Sequence, residues 1–263
     1  ATISEFVRNS RCFNELRSGP YYRNYFHECK GIVFFLCGIN YLFLSIDLRF
    51  TASFMNILVL TDYYPPAFAP RMGYLVKYLK EYGHYVEVVS VTNNIERNSF
   101  VFLAGYADMV YDIECPRRSH FAVLMSNIKG MLSTFKMMWT DIDTKYYNAT
   151  KAAVSRNKFD CVLCSVSSFS PLLVAERVSE EIGMPLLLDF RDLYEQDEIF
   201  FSRKGLSGIM RHFQKNIRNR IIAKASVVIS ISSWHCALLS QWSNNVKMIM
   251  NGFDEKKFMP QPI

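Results

Sequence analysis

The sequence is poor in the residues that build fibres, linkers and disulfide frameworks. Its 263 residues include only 11 Gly and 9 Pro, which excludes a collagen-like or low-complexity chain. The 7 cysteines are odd in number and fall at no regular spacing, so a secreted disulfide framework is excluded and a reducing compartment is expected. No Walker P-loop is present, and no Gly-x-Gly-x-x-Gly follows the first apolar strand; ATP and nicotinamide chemistry of those kinds has no support. His27, His84, His120, His212 and His235 have no metal-ligand spacing, so no metal site is expected. Two absences are positional: no methionine precedes Met55, although the chain holds 12, and no acidic residue lies between Glu198 and Asp254.

What is present is apolar and aromatic. Half of the residues are hydrophobic and 15% are aromatic, far from a disordered composition and enough for one large domain or two small ones. The net charge of +6 is mild. It is compatible with a phosphate-bearing ligand or an anionic membrane surface and demands neither.

Met55 directly precedes an apolar, β-favouring run, Asn56-Ile57-Leu58-Val59-Leu60. The expectation is that Met55 is a natural start and that 1–54 is an extension from upstream reading or another segment; a native N-terminal extension is the alternative. Within it, residues 31–46 form an apolar stretch with two polar interruptions, shorter than the ~20 residues a spanning helix needs. Preceded by Arg8, Arg11, Arg17, Arg23 and Lys30, it reads as a short membrane-associating signal-anchor with its N-terminus inside. No small-residue cleavage pattern follows it.

From Met55 the chain alternates strand and helix. Strand 56–60 ends at Asp62 and Pro65-Pro66, a helix over 71–82 carries Met72, Leu75, Val76 and Leu79 at helical spacing, Gly83 stops it, and strand 85–89 follows. This βαβ unit implies a parallel pair. A strand is expected over 109–113. A strong amphipathic helix is expected over 121–139, its wide Met and aromatic face packed as core. Further strands are expected over 160–164, 185–189, 227–229 and 246–249, with helices over 171–182, Leu206–Lys224 and 233–242. The fold class is therefore α/β, a Rossmann-like doubly wound parallel sheet. Ligands in such sheets bind outside the carboxyl ends of the strands, here 61–71, 165–170, 190–196 and 251–254.

Cys161 and Cys164 lie inside a strand, where residues three apart face opposite sides; they read as ordinary core cysteines rather than a redox pair. Ser165, Ser167, Ser168 and Ser170 cluster at a strand's carboxyl end, where hydroxyls bond a sugar or phosphate. Ser170 before Pro171 also reads as a helix N-cap. Asp189-Phe190-Arg191-Asp192 puts three charges at the end of a run of leucines, costly unless the strand ends at a polar cleft. Arg191 suits a phosphate or carboxylate, and Asp192 suits a general base accepting a sugar hydroxyl proton; an internal Arg–Asp pair holding the loop fits the spacing equally well. In the acid-free segment, Arg211, Lys215, Arg218, Arg220 and Lys224 share helix Leu206–Lys224 with Ile209, Phe213, Ile217 and Ile221 at every fourth position. That pattern suits an anionic membrane surface or a phosphate-bearing substrate. No base-stacking aromatics interleave with these charges, so no nucleic-acid partner is expected.

These pieces in series resemble glycosyltransferase family 4. The residues that carry the resemblance are Asn56 to Pro66 with its Tyr-Pro-Pro loop, Arg71, Tyr82-Gly83-His84-Tyr85-Val86, Leu188-Asp189-Phe190-Arg191-Asp192-Leu193-Tyr194 as in an Asp-Phe-Arg-Asp subgroup, Ala223 to Ser232, and Met250-Asn251-Gly252-Phe253-Asp254. The resemblance implies a GT-B fold of two Rossmann-like domains facing a cleft, with no required metal and no cofactor beyond a nucleotide-sugar co-substrate. It implies that 55–258 is the amino-terminal, acceptor-side domain, that 259–263 begins the linker to a donor domain, and that Asn251 and Gly252 form the hinge. It assigns Asp62, Arg71, Ser167 and Arg191 to substrate binding and Asp192 to catalysis. The implied partners are a glycan or lipid-linked acceptor and a nucleotide-sugar held by a donor domain outside this chain, at the cytoplasmic face of the plasma membrane. Two departures stand out: Ala67-Phe68-Ala69-Pro70 replaces the family's frequent Gly-Gly pair, and Ser165 stands near a position where many members have histidine. A non-catalytic binding domain, or half of another GT-B enzyme such as a sugar-nucleotide epimerase, are the competing expectations. N-terminal mass spectrometry of the natively expressed protein is expected to find a product that begins at Met55; a longer product overturns that reading of 1–54.

Overall fold

The computed structural model describes residues 54–92, 98–114, 140–193, 195 and 206–251. The expected extension 1–54 (but for Phe54), the helix over 121–139, Gly252 of the hinge and the linker 259–263 lie outside the described residues.

The elements run β1 (Asn56–Leu60), α1 (Pro70–Glu81), β2 (Tyr85–Thr92), a 3-10 segment (Asn98–Tyr106), β3 (Met109–Glu114), α2 (Asp141–Arg156), β4 (Cys161–Val166), α3 (Phe169–Ile182), β5 (Leu186–Phe190), α4 (Leu206–Lys224), β6 (Val227–Ser230), α5 (Ser233–Leu239) and β7 (Val246–Met248). Seven strands form one sheet in the order β3-β2-β1-β4-β5-β6-β7. Every pairing is parallel, with Leu60 beside both Val89 and Cys164, and Phe190 beside Ser230. This is the Rossmann-like doubly wound arrangement. The chain walks outward from β1 to β3, then returns to β4 on the other side of β1, so the strand order reverses between β1 and β4.

The central strands are continuous apolar runs because both of their faces are covered. All residues of β4 and β5 are buried. One face packs Leu58, Leu60, Val162, Cys164 and Leu188 against α2, α3 and α4 through Tyr146, Leu172, Val178 and Ile221. The other packs Ile57, Val59, Cys161, Leu163 and Leu187 against Met72, Leu75, Val76 and Leu79 of α1. Cys161 and Cys164 therefore stand on opposite faces, and burial pushes the Cys161 thiol up to about 12, so it stays an inert thiol. Among the described residues no helix is long and apolar enough to cross a membrane.

Local chemistry explains the helix ends. Gly83, with φ 87°, takes the left-handed conformation after α1. Helix α2, absent from the sequence reading, starts at a capping box in which Thr140 and Asp143 exchange side-chain and backbone hydrogen bonds. The expected Ser170 cap is corrected: α3 begins at Phe169, two residues before the expected start at Pro171, and Ser168 is its N-cap, without a side-chain capping bond.

Helix α1 also fixes the loop ahead of it. A Cβ on Gly73 meets Pro65 Cγ at 2.7 Å and Leu103 Cδ1 at 2.8 Å, so only glycine lets the 3-10 segment and the Pro65 ring close on the helix. Gly73→Ala is expected to destabilise the protein by roughly 1–3 kcal/mol through this overpacking, measured as a lowered urea midpoint with an unchanged slope.

Candidate active site

The site is built at the carboxyl edge of the sheet, where the strand order reverses. Directly after β1, Thr61 and Asp62 are buried. Tyr146 of α2 donates its hydroxyl to the Thr61 carbonyl at 2.8 Å, which anchors the exit of β1. Directly after β4, Ser167 and Ser168 donate their hydroxyls to Asp62, Ser167 to Oδ2 at 2.6 Å and Ser168 to Oδ1 at 2.7 Å. The carboxylate thus bridges the two strands that flank the reversal. It also explains the missing cap on α3, because the Ser168 hydroxyl is turned to Asp62. Tyr63 and Phe68, on the same loop, are exposed, and the Phe68 ring meets Phe100 edge-on at 5.6 Å.

The second construction joins α1 to β5. Arg71 grips Asp189 in fork geometry, Nε to Oδ2 at 2.9 Å and Nη2 to Oδ1 at 2.6 Å, with both side chains buried. The same guanidinium donates Nη1 to Asn251 Oδ1 at 2.9 Å and Nη2 to the Ile249 carbonyl at 3.4 Å. Arg71 therefore holds the start of α1, the end of β5 and the chain leaving β7 at one point.

The third is the turn after β5. Arg191 is half-buried and has no hydrogen-bond or ion-pair partner among the described residues; Asp192 is exposed and acts electrostatically on His235. The internal Arg191–Asp192 pair weighed from the spacing is not formed. The turn is pinned further on by Glu195, which accepts from Arg218 Nη1 and Nη2 at 2.8 and 2.7 Å and pairs with Lys215 at 3.1 Å. Burial alone raises the Glu195 carboxyl, but Arg218, aided by Lys215, outweighs it and holds it down at about 2.

The sequence-derived residues thus fall into three groups rather than one. Asp62 and Ser167 are bonded to each other. Arg71 and Asn251 are bonded to each other and to Asp189. Arg191 and Asp192 stand on the neighbouring turn. Ser168, Asp189 and Glu195 were not singled out individually as ligand-facing, and Asp189 gave a signal: one carboxylate inside a strand of leucines needs a buried cation. Helix α4 also differs from a free basic face. Lys215 and Arg218 pair with Glu195, Arg220 with Glu176, and Lys224 with Glu176 and Glu180. Ile209 and Phe213, in its N-terminal half, are exposed apolar residues. No group of His, Cys, Asp and Glu among the described residues is arranged to hold a metal ion.

With this geometry in view, the chain can be set beside known proteins. No protein-family model matches it, and no curated protein does. Its fold does match solved structures. Sucrose-phosphate synthase from Thermosynechococcus elongatus superposes with a TM-score of 0.54 at 13% identity, over 78% of this chain and 50% of that one. Anabaena Alr3699/HepE in complex with UDP gives 0.48 at 18% identity over 79% and 47%. The calicheamicin glycosyltransferase CalG4 gives 0.45 at 12% over 75% and 53%. These neighbours are GT-B glycosyltransferases, and the chain spans about half the length of each.

Two outcomes follow from the site. Asp189→Asn leaves the Arg71 guanidinium buried without its countercharge and is expected to cost about 3 kcal/mol or more, whereas Arg71→Met combined with Asp189→Leu is expected to recover part of that loss in the same urea titration. The pH dependence has a definite sign. Burial lowers the His84 and His235 rings below 6.5, so the unfolded chain binds more protons below that value, and stability falls as pH drops through it. A second loss follows from about 4.5 down to about 2 as the Glu195 carboxyl is protonated. A thermal midpoint that stays flat between pH 7 and pH 5 contradicts the first stage.

Proposed function

We propose that this chain is the amino-terminal, acceptor-side domain of a family 4-type glycosyltransferase, in which 55–258 forms the domain, 1–54 an extension, and 259–263 the start of a linker to a donor-binding half. The observation that carries the reading is the Asp62–Ser167–Ser168 bridge across the strand reversal, with Arg191, which has no partner among the described residues, and exposed Asp192 on the adjoining turn. Polar groups converge where doubly wound sheets take their ligands. The reaction is transfer of a sugar from a nucleotide-sugar to a glycan or lipid-linked acceptor. Some neighbours are solved in complex with UDP or with UDP-2fluoro-glucose, which supports a nucleotide-sugar co-substrate here.

In this reading Asp62, held by its two serines, and Ser167 orient the acceptor, and Arg191 meets an anionic group of the substrate. Asp192 takes the proton of the attacking hydroxyl as the glycosidic bond to the leaving diphosphate breaks. Cationic and backbone donors of the donor half stabilise the departing diphosphate. Arg71 and Asn251 set the angle at which the chain leaves β7, at the start of the hinge formed by Asn251 and Gly252. Tyr63 and Phe68 offer an apolar rim to a sugar ring or lipid. Attachment is peripheral at the inner face of the plasma membrane, with Ile209 and Phe213 of α4 as the contact.

The test is sugar transfer by the complete gene product from UDP- and GDP-sugars to glycan and lipid-linked acceptors. Asp192→Ala is expected to lower kcat about a hundredfold. Arg191→Ala is expected to raise the acceptor KM, with both thermal midpoints unchanged. Full activity in both variants removes the site assignment. Transfer by the 263-residue chain alone removes the claim that the donor half lies outside it.

A further inference from the structure

Among the buried titratable groups that the proposed chemistry does not use, His235 stands next to the turn after β5. His235 lies in the first turn of α5, its backbone N–H donated to Ser232 Oγ at 3.2 Å, and it is 1% exposed. Its Nδ1 lies 2.9 Å from Ser230 Oγ, and Ser230 Oγ lies 2.7 Å from the Phe190 carbonyl oxygen. Two oxygens at that separation need a proton between them, and the Ser230 hydroxyl holds the only one. Ser230 therefore donates to Phe190 and accepts from His235, so the proton of the neutral ring sits on Nδ1. That leaves Nε2 as a bare lone pair, and Nε2 is buried without a hydrogen-bond partner among the described residues. A buried polar atom of this kind needs an explanation.

The surroundings supply one. The charged groups that act on the ring are Asp192 and Glu195, both from the turn after β5. Glu195 is already neutralised by Arg218 and Lys215 of α4, whereas Asp192 has no ion-pair partner among the described residues. Ser230 of β6 and Trp234, whose ring centroid lies 5.4 Å from that of His235, are uncharged neighbours among the described residues.

We propose that His235 is a proton-dependent positioning residue for Asp192: a proton taken from solvent by Nε2 turns a bare lone pair into a donor that draws the Asp192 carboxylate inward and ties the 190–195 turn to α5. In neutral solution Asp192 is released to the cleft, and in mild acid it is held. Burial sets the transition below the ordinary histidine value of 6.5, while Asp192 and Glu195 pull it back up. The consequence for chemistry rests on the reading that Asp192 faces substrate; the device itself does not.

The experiment is NMR on the full chain, isotope-labelled, with long-range proton–nitrogen spectra for the histidine rings and carboxyl carbon shifts for Asp192. His235→Asn, which keeps a donor towards Ser230 and lacks Nε2, assigns the ring signals. At pH 7.5 the ring is expected in the Nδ1–H form. On acidification, Nε2 and the Asp192 carboxyl carbon are expected to shift with one shared midpoint. Asp192→Asn is expected to move the His235 midpoint downward by roughly half a pH unit, and His235→Asn to erase the shared step from Asp192. An Nε2–H ring at pH 7.5, an Asp192 signal without that step, or a midpoint unmoved in Asp192→Asn overturns the proposal. Should His235→Asn not fold, wild type and Asp192→Asn, which alters an exposed side chain, still decide. None of these readouts needs turnover, so an inactive gene product sinks the functional reading and leaves this one standing.

Discussion

The buried ion pair between Arg71 and Asp189 is the interaction on which the rest of the upper sheet depends. A carboxylate at the end of a fully buried strand is unfavourable by several kcal/mol unless its charge is met in good geometry. The guanidinium meets it with two parallel hydrogen bonds and has donors left for Asn251 and the Ile249 carbonyl. Satisfying one charge thereby brings the β1–α1 loop over β5 and catches the outgoing end of β7. The Asp62 bridge lies within the span this pair sets, since Asp62 and Arg71 stand at the two ends of the connection from β1 into α1. The polar edge is in that sense one construction, with a buried charge as its keystone.

Strands and helices with strong local signals are legible in the sequence. The runs of β1, β4, β5 and β6 are apolar because both faces are covered, and the four-residue spacing of α1 and α4 follows from one covered face. Helix α2 is not legible in this way, because its sequence, Asp141 to Arg156, has few large apolar residues and is anchored by Tyr146, Thr150 and Ala153. Its start is a polar capping box rather than a hydrophobic pattern. Ser170 reads as a cap because Pro171 follows it, yet proline is tolerated throughout the first turn, where no intrahelical donor is lost.

The candidate site was legible as segments and not as partnerships. The ends of strands in a doubly wound sheet can be read from order alone, and 61–71, 165–170 and 190–193 do converge. What no local pattern reveals is that Arg71 reaches Asp189 across 118 positions, or that Ser168 reaches Asp62 across 106. The same limit applies to α4. A stretch without acids reads as a bare positive surface, but Glu176, Glu180 and Glu195 arrive from other parts of the chain and take up four of its cations. Charge patterns along a chain report its surface only where the fold brings no counter-ion.

The Asp62 bridge has a consequence for what the cleft floor can greet. Each serine hydroxyl owns a single hydrogen, and both are turned inward to the carboxylate. Ser167 therefore faces a visitor with electron pairs only. In the proposed acceptor site, a guest resting there would have to bring its own hydrogens, as a sugar hydroxyl does, while a bare phosphate oxygen would meet only like polarity at Ser167 and would be left to Arg191 on the neighbouring turn. On that proposed reading, discrimination between the neutral and the anionic parts of one molecule would be set by the floor before anything binds.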